Sequence, residues 1–364
     1  MRVAMLHPYT WPAVRRGAER YLHDLSLWLH ERGHEVDVLT GPTEADPDLP
    51  PGPRLLPLPL HVPHRLARHD VTALDTFGVS TLPYLLRQRY DVVHSLVPSG
   101  GLAAAHALQP SVYSVLGHPS PANPPRHRWS RELFARAIRA VRLPAALSSS
   151  AATGVEALTG RRPIVLSPGV RLAEFPRKPA PPVGPPVLLF NAFAGDPRKR
   201  LGVLLAALPA LLDEHPGLRL QLGGGGSADE ALDGLDRGVR EAVLPVLDDL
   251  GAGPLRDVPE RYRRATVCVL PSVEEAFGLV LVESLAAGTP VVCSASGGMP
   301  EIVTPDVGRV VPPDSPSDLA GGIREALLLA ADEGTLERCR ARARRWDWDV
   351  VGPLHEHAYA RARA

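Results

Sequence analysis

The chain has 364 residues, which exceeds the roughly 100–200 residues of one domain, so two domains are expected. Its composition, 45% hydrophobic and 22% charged, excludes a wholly disordered chain. Forty basic residues balance forty acidic ones, and this argues against a general nucleic-acid-binding protein, which normally carries a basic excess.

The sequence contains no sign of a membrane span or of a disulfide framework. No apolar run reaches the ~18–20 residues that a span needs. The apolar start, MRVAMLHPY, is too short for a signal peptide and is predicted to be a strand. Cys268, Cys293 and Cys339 are widely spaced and form no CxxC pair, so a reducing cytoplasm is the expected location. Of the 40 basic residues only Lys178 and Lys199 are lysine, as is typical of a GC-rich bacterial genome.

The first forty residues predict a βαβ unit. Arg2–His7 is a short β-type run, and apolar residues with a period near 3.6 predict a helix over Ala18–Arg32. Gly33 ends that helix and Glu35–Leu39 forms the next strand. Such units build parallel sheets.

The same rhythm continues through the first domain. The predicted strands are Asp91–His94, Ser111–Leu116, Ala145–Ser149 and Pro163–Ser167, and the predicted helices are Leu82–Arg89, Gly101–Leu108 and Ser130–Val141. The proline-dense stretch Pro42–His64 is interpreted as a loop with one extended piece. His61, His64 and His69 suggest a metal cluster by number only, and a solvated loop is favoured because no carboxylate supports them.

A proline-rich segment divides the chain. Residues 176–186, PRKPAPPVGPP, contain six prolines in eleven positions and predict a stiff linker between domains 1–175 and 187–346. After it the predicted strands are Val187–Phe190, Arg219–Gly223, Val267–Leu270 and Val291–Ser294, and the predicted helices are Leu201–Glu214, Val258–Ala265, Leu279–Ala287 and Pro316–Ala331. The last segment, 347–364, predicts a terminal helix that packs back on the first domain.

The most informative motif is PSVEEAFGLVLVE at 271–283, where a strand gives way to a helix. Ligands of open α/β sheets bind at the carboxyl ends of strands, and a helix N-terminus there offers free N–H groups. The turn at Phe277-Gly278 allows a phosphate or sugar oxygen to approach the backbone closely. Glu275 and Glu283 are carboxylates that can accept hydrogen bonds from sugar and ribose hydroxyls. The alternative is that both glutamates are ordinary first-turn residues favoured by the helix dipole.

A second motif, GDPRKRL at 195–201, places three cations between a strand and a helix. Such a cluster can hold a diphosphate. The alternative is a solvated basic first turn, although cations at a helix N-terminus oppose its dipole. A third, RRGAE, brings Gly17 to the start of the first helix, but GxGxxG and Walker A patterns are absent. His118 follows a strand and faces the crevice side, although most single histidines are structural. Gly223–Gly226 and Gly297-Gly298 both follow strands and could admit a ligand, although a simple chain reversal is favoured for each.

Together these segments resemble glycosyltransferase family 4, the retaining nucleotide-sugar transferases of GT-B fold. RGAERYLHDLSLWLHERGHEV is similar to the family's first helix, and SPGVRLAEF to the end of its first domain. EAFGLVLVESLAAGTPVV, GGMPEIV and VGRVVPPDSPSDLAGGI resemble its donor-binding core, in which Glu275 and Glu283 match an E-x7-E pair. The resemblance implies two Rossmann-like doubly wound domains that face each other across a cleft.

The resemblance also implies a role for each matching residue. Glu275 would contact the transferred sugar, and Glu283 the ribose hydroxyls. Lys199, assisted by Arg198, would hold the diphosphate. The remaining implied contacts are backbone amides of Phe277, Gly278 and Leu279 to sugar and phosphate, His118 near the sugar, and Gly17 over the phosphates.

Two positions depart from the family pattern: Phe193 stands where a second phosphate-binding arginine is common, and Arg16-Gly17 replaces a glycine pair. The implied reaction is metal-independent transfer, with retention, from a nucleotide-diphosphate sugar, UDP-sugar being favoured, to a small-molecule hydroxyl such as that of a specialised metabolite, sugar or cyclitol. Three alternatives remain: a GT-B pseudo-glycosyltransferase, a nucleotide-sugar epimerase and a non-catalytic nucleotide-sugar-binding protein.

Overall fold

The structure, a computed structural model, describes residues 1–42, 52–60 and 70–364. The chain forms two compact units: the first is Met1–Gly169 with Trp348–Ala364, and the second is Val170–Asp347. The division therefore falls before the proline-rich segment 176–186, which belongs to the second unit. The histidines at 61, 64 and 69 lie outside the described residues.

The first unit is built on a parallel sheet with the strand order β3-β2-β1-β4-β5-β6-β7. Its strands are β1 Arg2–Leu6, β2 Glu35–Thr40, β3 Arg54–Pro57, β4 Val92–Ser95, β5 Ser111–Val115, β6 Leu143–Ala146 and β7 Ile164–Val165. Its helices are α1 Gly17–Glu31, α2 Ala73–Arg87, α3 Pro98–His106, α4 Arg128–Ala140, α5 Ser149–Thr159 and the C-terminal helix, Trp348–Arg363. The apolar run of β1 is fully buried from Val3 to Leu6 because a doubly wound sheet is covered on both faces.

The second unit repeats this plan with the order β10-β9-β8-β11-β12-β13. Its strands are β8 Val187–Phe190, β9 Arg219–Leu222, β10 Leu247–Asp249, β11 Val267–Leu270, β12 Val291–Ser294 and β13 Gly308–Val311. Its helices are α6 Leu201–Leu212, α7 Asp229–Asp233, α8 Arg237–Val243, α9 Val258–Arg264, α10 Leu279–Ala286, α11 Pro316–Ala331 and α12 Glu333–Ala343. The prediction of two doubly wound parallel sheets is confirmed.

Several predicted boundaries were wrong. The helix predicted over Leu82–Arg89 is α2, which begins at Ala73 because Thr72 and Asp75 form a capping box. The strand predicted over Ala145–Ser149 stops at Ala146, since the Ser148 hydroxyl accepts from the Ala151 N–H and caps α5, a helix that was not predicted. The other unpredicted elements are the helices α7, α8 and α12 and the strands β10 and β13.

The C-terminal helix, now α13, packs within the first unit through a buried polar cluster. The Nδ1–H of His355 faces the carbonyl oxygen of Val351, 2.9 Å away, so its Nε2 accepts from the Tyr21 hydroxyl at 2.8 Å. His94 on β4 bonds the Tyr359 hydroxyl of α13 through Nδ1 and Ser114 through Nε2, each at 2.8 Å. Burial lowers the pKa of His355 to about 4 and also lowers that of His94, so both rings are neutral.

The second unit anchors its proline-rich segment through Lys178. This lysine is only 4% exposed, and its Nζ donates to the carbonyl oxygen of Ala265 at 2.5 Å. Desolvation lowers its pKa to about 8. At the ends of the unit, Val170 pairs with Asp347 in a parallel bridge, and the Val170 N–H donates to Trp346. The proline-rich segment 176–186 is therefore anchored to the second unit and does not form a separate linker.

Candidate active site in the second unit

The strand order of the second sheet determines where its loops meet. Strand β8 pairs with β11 on one side and with β9 on the other, so the direction of winding reverses between β8 and β11. The loops that leave the carboxyl ends of these two strands meet at this switch point, where open α/β sheets bind ligands. They are residues 191–200 and 271–278, the two segments that the sequence motifs single out.

Lys199 and Glu275 meet at the switch point although they are 76 positions apart. The Lys199 Nζ donates to Glu275 Oε2 at 2.5 Å, and the side chains are 18% and 22% exposed. Lys199 ends a 3₁₀ turn, Pro197–Lys199, which Asp196 caps by accepting from the Arg198 N–H. Partial burial shields the pair from water and leaves it accessible to a ligand.

The two cations beside Lys199 also have carboxylate partners. Arg198 donates two side-chain hydrogen bonds to Asp196, at 3.2 and 2.6 Å, and Arg200 donates one to Asp314 at 2.7 Å. Burial opposes ionisation of Asp196, but the hydrogen bonds and charge of Arg198 outweigh it and lower the pKa. The basic cluster is therefore balanced by acidic groups, and Val273 bonds its backbone to that of Arg198 at 2.8 Å.

The Glu275 loop is held by the loop after β12. The Glu274 N–H donates to Ser296 Oγ at 2.9 Å, and the Gly298 N–H donates to the carbonyl oxygen of Glu275 at 2.8 Å. Gly297, at φ +60°, is required here, because an added Cβ would lie 1.9 Å from that same oxygen. The pair Gly297-Gly298, which was interpreted from the sequence as a chain reversal, therefore also positions Glu275, a candidate catalytic residue.

The residues after Glu275 form the entrance to α10. Phe277 is 5% exposed and packs edge-on against Trp346, with ring centroids 6.0 Å apart. Gly278 has φ +105°, a conformation that favours glycine, and Leu279 is the first helical residue. The first turn of α10 thus presents backbone N–H groups and the positive end of the helix dipole beside the Lys199–Glu275 pair.

Glu283 lies on α10 and is held by a residue that the sequence did not single out. The Tyr262 hydroxyl donates to Glu283 Oε2 at 2.6 Å, and Asn191 Nδ2 donates to the Tyr262 oxygen at 2.7 Å. Arg261 was also missed: its guanidinium donates to the carbonyl oxygens of Gly223 and Gly251 and so fixes the loops after β9 and β10. Helical periodicity marks Tyr262 only as a core residue, so no sequence signal reveals its partner.

Phe193, the departure from the family pattern, is 46% exposed. Its ring lies against the glycine run, since an added Cβ at Gly226 would come within 2.9 Å of it. The Ala194 N–H donates to Gly225, and a Cβ at Gly224 would lie 2.1 Å from the carbonyl carbon of Ala192. The run Gly223–Gly226 therefore permits close packing of two loops, and Phe193 adds apolar surface without positive charge.

Gly17 and His118 belong to the first unit. Gly17 is the first residue of α1 and follows the carboxyl end of β1, at the reversal between β1 and β4. His118 follows β5, and its Nε2 forms a 2.8 Å hydrogen bond with Ser150 Oγ at the start of α5. Both residues therefore stand at the carboxyl edge of their own sheet.

Within the described residues, 1–42, 52–60 and 70–364, no three His, Cys, Asp or Glu side chains lie close enough together to hold a metal ion. None of the helices there is long and apolar enough to span a membrane.

Two family models match the chain in succession. The model described as Glycosyltransferase Family 4 matches residues 15–174, and the one described as Glycosyl transferases group 1 matches residues 173–346. The D-inositol 3-phosphate glycosyltransferase of Actinosynnema mirum is 30% identical over 415 residues, which cover 100% of this chain and 97% of that protein. The chain belongs to glycosyltransferase family 4. A phosphatidyl-myo-inositol mannosyltransferase of Propionibacterium freudenreichii is 28% identical to this transferase, over 97% and 93% of the two chains.

Solved structures share the fold of the transferase. Sucrose-phosphate synthase from Thermosynechococcus elongatus superposes with a TM-score of 0.82 at 21% identity, over 99% of this chain and 98% of that one. Anabaena HepE, in complex with UDP and glucose, gives a TM-score of 0.75 at 18% identity over 99% of both chains. These likenesses confirm the GT-B fold that the sequence motifs suggested.

Proposed function

We propose that the transferase moves a hexosyl group from a nucleotide-diphosphate sugar to a hydroxyl of a small-molecule acceptor, with retention of anomeric configuration and without a divalent metal. The observation that carries the proposal is the Lys199–Glu275 pair, a cation and a carboxylate joined at 2.5 Å at the switch point of the second sheet. A diphosphate needs a cation there, and a sugar needs a hydrogen-bond acceptor.

Positive charge beside the leaving group lowers the barrier to transfer. When the bond between the anomeric carbon and the phosphate oxygen breaks, negative charge develops on the diphosphate. Lys199, Arg198 and the backbone N–H groups at Phe277, Gly278 and Leu279 would stabilise it. Because these groups supply the positive charge, we expect the reaction to proceed in the presence of a metal chelator.

The remaining roles follow from the acceptors at the site. Glu275 would accept hydrogen bonds from the hydroxyls of the transferred sugar, and Glu283 from those of the ribose. His118, oriented by Ser150 at 2.8 Å, would bind on the acceptor side of the sugar. Gly17 would pass beside the phosphates, because its lack of a side chain permits close approach.

Retention is proposed to follow from attack on the face that the diphosphate leaves. The acceptor oxygen bonds to the anomeric carbon as the carbon–phosphate oxygen bond breaks, and the acceptor proton passes to the departing phosphate. Glu275 Oε2 already accepts from Lys199, so this reaction gives that carboxylate an electrostatic role rather than that of a covalent nucleophile.

Relatives suggest the first substrates to test. The relatives from Actinosynnema mirum and Propionibacterium freudenreichii are named for inositol phosphate and phosphatidyl-inositol acceptors, and HepE was solved with UDP and glucose. We therefore propose UDP-sugars as donors and polyhydroxylated rings, including cyclitols, as acceptors.

A thermal-shift panel with UDP, GDP, TDP and ADP, with and without EDTA, tests the proposal. A ligand at 100 times its Kd adds about 2.7 kcal/mol to stability. A shift with one nucleotide that persists in EDTA supports the proposal and identifies the donor class. A shift that EDTA abolishes overturns metal independence, and no shift overturns the phosphate site at Lys199.

Product analysis with the donor so identified separates the remaining alternatives. Sugar transferred to a cyclitol with retained configuration supports the proposal. An epimerised nucleotide sugar, a product joined from non-sugar rings, or tight nucleotide binding without turnover would each replace it. Glu275→Ala and Lys199→Ala should each lower kcat/KM. The loss of transition-state stabilisation calculated from that ratio should be about 1.5–3 kcal/mol, the scale of a lost charged hydrogen bond.

A further inference from the structure

Tyr262 connects the core of the second unit to Glu283. It lies on α9 with 0% exposure, yet its hydroxyl is placed at a carboxylate. It donates to Glu283 Oε2 at 2.6 Å and accepts from Asn191 Nδ2 at 2.7 Å. A buried hydroxyl that accepts one hydrogen bond and donates another has a fixed direction, because its single proton is committed to the carboxylate.

Each member of this chain of contacts is itself anchored. The backbone carbonyl of Tyr262 accepts from Thr289 Oγ1 at 2.6 Å, and the ring packs against Phe175 with centroids 6.2 Å apart. Asn191 directly follows β8 and fits closely over Gly223, where an added Cβ would come within 2.5 Å of its side-chain oxygen. Through Tyr262 and Asn191, the Glu283 side chain is therefore held in place relative to the carboxyl end of β8.

The phenol also remains a donor under ordinary conditions. Desolvation, together with the charge of Glu283, raises the pKa of Tyr262 well above its usual value. A carboxylate has about four acceptor positions, and the hydrogen bond from Tyr262 orients Glu283 while using one of them. Glu283 is partly exposed, so its carboxylate is accessible to a ligand.

We propose that Tyr262, supported by Asn191, is a positioning residue that orients the Glu283 carboxylate toward the ribose hydroxyls of the nucleotide donor. The inference rests on the proposed function, since it takes Glu283 as the ribose ligand. It extends that function because neither Tyr262 nor Asn191 is required to touch the donor. The consequence is specific: removal of the Tyr262 hydroxyl should weaken recognition of the ribose and leave recognition of the base and phosphates intact.

The test compares UDP, or the nucleotide that the thermal-shift panel selects, with its 2′,3′-dideoxy analogue by calorimetry. The parent should bind the ribonucleotide more tightly than the dideoxy form. Tyr262→Phe should weaken ribonucleotide binding by about threefold to tenfold, the scale of one hydrogen bond to a charged group, and change dideoxynucleotide binding by less than about twofold. Equal weakening of both ligands, or no change in either, would overturn the inference.

Three further variants keep the result interpretable. Glu283→Ala should remove the same discrimination, and Tyr262→Phe added to Glu283→Ala should have no further effect on ribonucleotide binding. Asn191→Ala, read in the same way, should give a smaller loss of discrimination and serves if Tyr262→Phe folds poorly. If Glu283→Ala loses the discrimination while Tyr262→Phe and Asn191→Ala both keep it, this inference fails alone; if the parent binds neither nucleotide, the proposed function fails.

Discussion

The Lys199 ammonium and the Glu275 carboxylate form a direct ion pair, with Nζ 2.5 Å from Oε2. The pair implies competition, because a diphosphate that binds Lys199 must share or displace the partner that the lysine already has. Under the proposed function, binding of the donor diphosphate to Lys199 and release of Glu275 toward the sugar would be two parts of one exchange.

This exchange gives opposite effects on binding and on transfer. Glu275→Gln should tighten the Kd for UDP about twofold to fivefold, the value of a partly exposed ion pair, because Lys199 becomes available. The same variant should transfer sugar more slowly, since the amide is a weaker acceptor for the sugar. Calorimetry and initial rates measure the two effects; Lys199→Met/Glu275→Gln should bind UDP no better than Lys199→Met. Weaker UDP binding by Glu275→Gln would refute the exchange.

An alanine at position 17 tests whether the phosphates lie beside this residue, because the substitution should not disturb the packing of the protein. Apart from its two chain neighbours and the nearby backbone of its own helix, no atom of the described chain lies within 4 Å of a Cβ added at this position, and its backbone is helical. Gly17→Ala should therefore leave the melting temperature unchanged or slightly raised. If phosphates pass beside the backbone, the variant should weaken donor binding by about 1 kcal/mol or more through a steric clash. An unchanged KM for the donor would place the phosphates elsewhere.

Gly297 should matter for a different reason. A Cβ at this position meets the Glu275 carbonyl oxygen at 1.9 Å, and φ is +60°. Gly297→Ala should therefore displace the Glu275 loop, at a cost of about 1–3 kcal/mol for the strained backbone. We expect a large fall in kcat together with a lower melting temperature. Parental kcat in Gly297→Ala would show that the position of this loop does not limit transfer.

Two glycines in helices should respond to alanine in opposite directions. Gly352 on α13 faces Trp28, and an added Cβ would lie 2.4 Å from the indole. A Cβ added at Gly321 on α11 would have no atom of the described chain within 4 Å apart from its chain neighbours and the nearby backbone of its own helix. Gly321→Ala should stabilise by up to about 1 kcal/mol through helix propensity. Gly352→Ala should destabilise by about 1–3 kcal/mol through overpacking. Urea unfolding measures both, and equal signs would contradict the packing of α13 on α1.

The free energy of unfolding should fall in mild acid, because the buried histidines are neutral in the folded protein and take up protons when the chain unfolds. Burial lowers the pKa of His7 and His355 to about 4 and lowers that of His94, against about 6.5 when unfolded. Folded pKa values below the unfolded ones mean that stability is complete above about pH 6.5 and is lost as the pH falls toward 4. Each histidine should contribute up to about 1.4 kcal/mol per pH unit.

Urea unfolding at half-unit steps from pH 4.5 to 7.5 measures that slope. His355→Gln should be less stable than the parent at neutral pH but should have a shallower slope, because one titrating group is gone. The lowered pKa of Asp37, caused by Arg54 and Tyr90 despite its burial, acts below this window and does not confuse the reading. A slope in His355→Gln equal to that of the parent would show that His355 takes up protons as readily in the folded protein as in the unfolded chain.

The sequence predicted the sheets and the motif positions well for identifiable reasons. Long apolar strands such as Val267–Leu270 are visible because both faces are buried, and the rule for parallel sheets brings Lys199 and Glu275 to one edge. Strand β10 was missed because Leu247–Asp249 is short and acidic. The link from Tyr262 to Glu283 and the burial of Lys178 were missed because both depend on side-chain contacts between distant segments, which no local pattern encodes.

The bridge between Val170 and Asp347 makes residues 170–347 a self-closed insertion. A segment whose first and last residues are neighbours can be removed or exchanged with little change to the rest of the protein. The two chain ends that it joins then keep the same separation. Exchange of this stretch between relatives therefore becomes a practical route to hybrid enzymes. Under the proposed function, such an exchange would replace the donor site and leave the first unit unchanged.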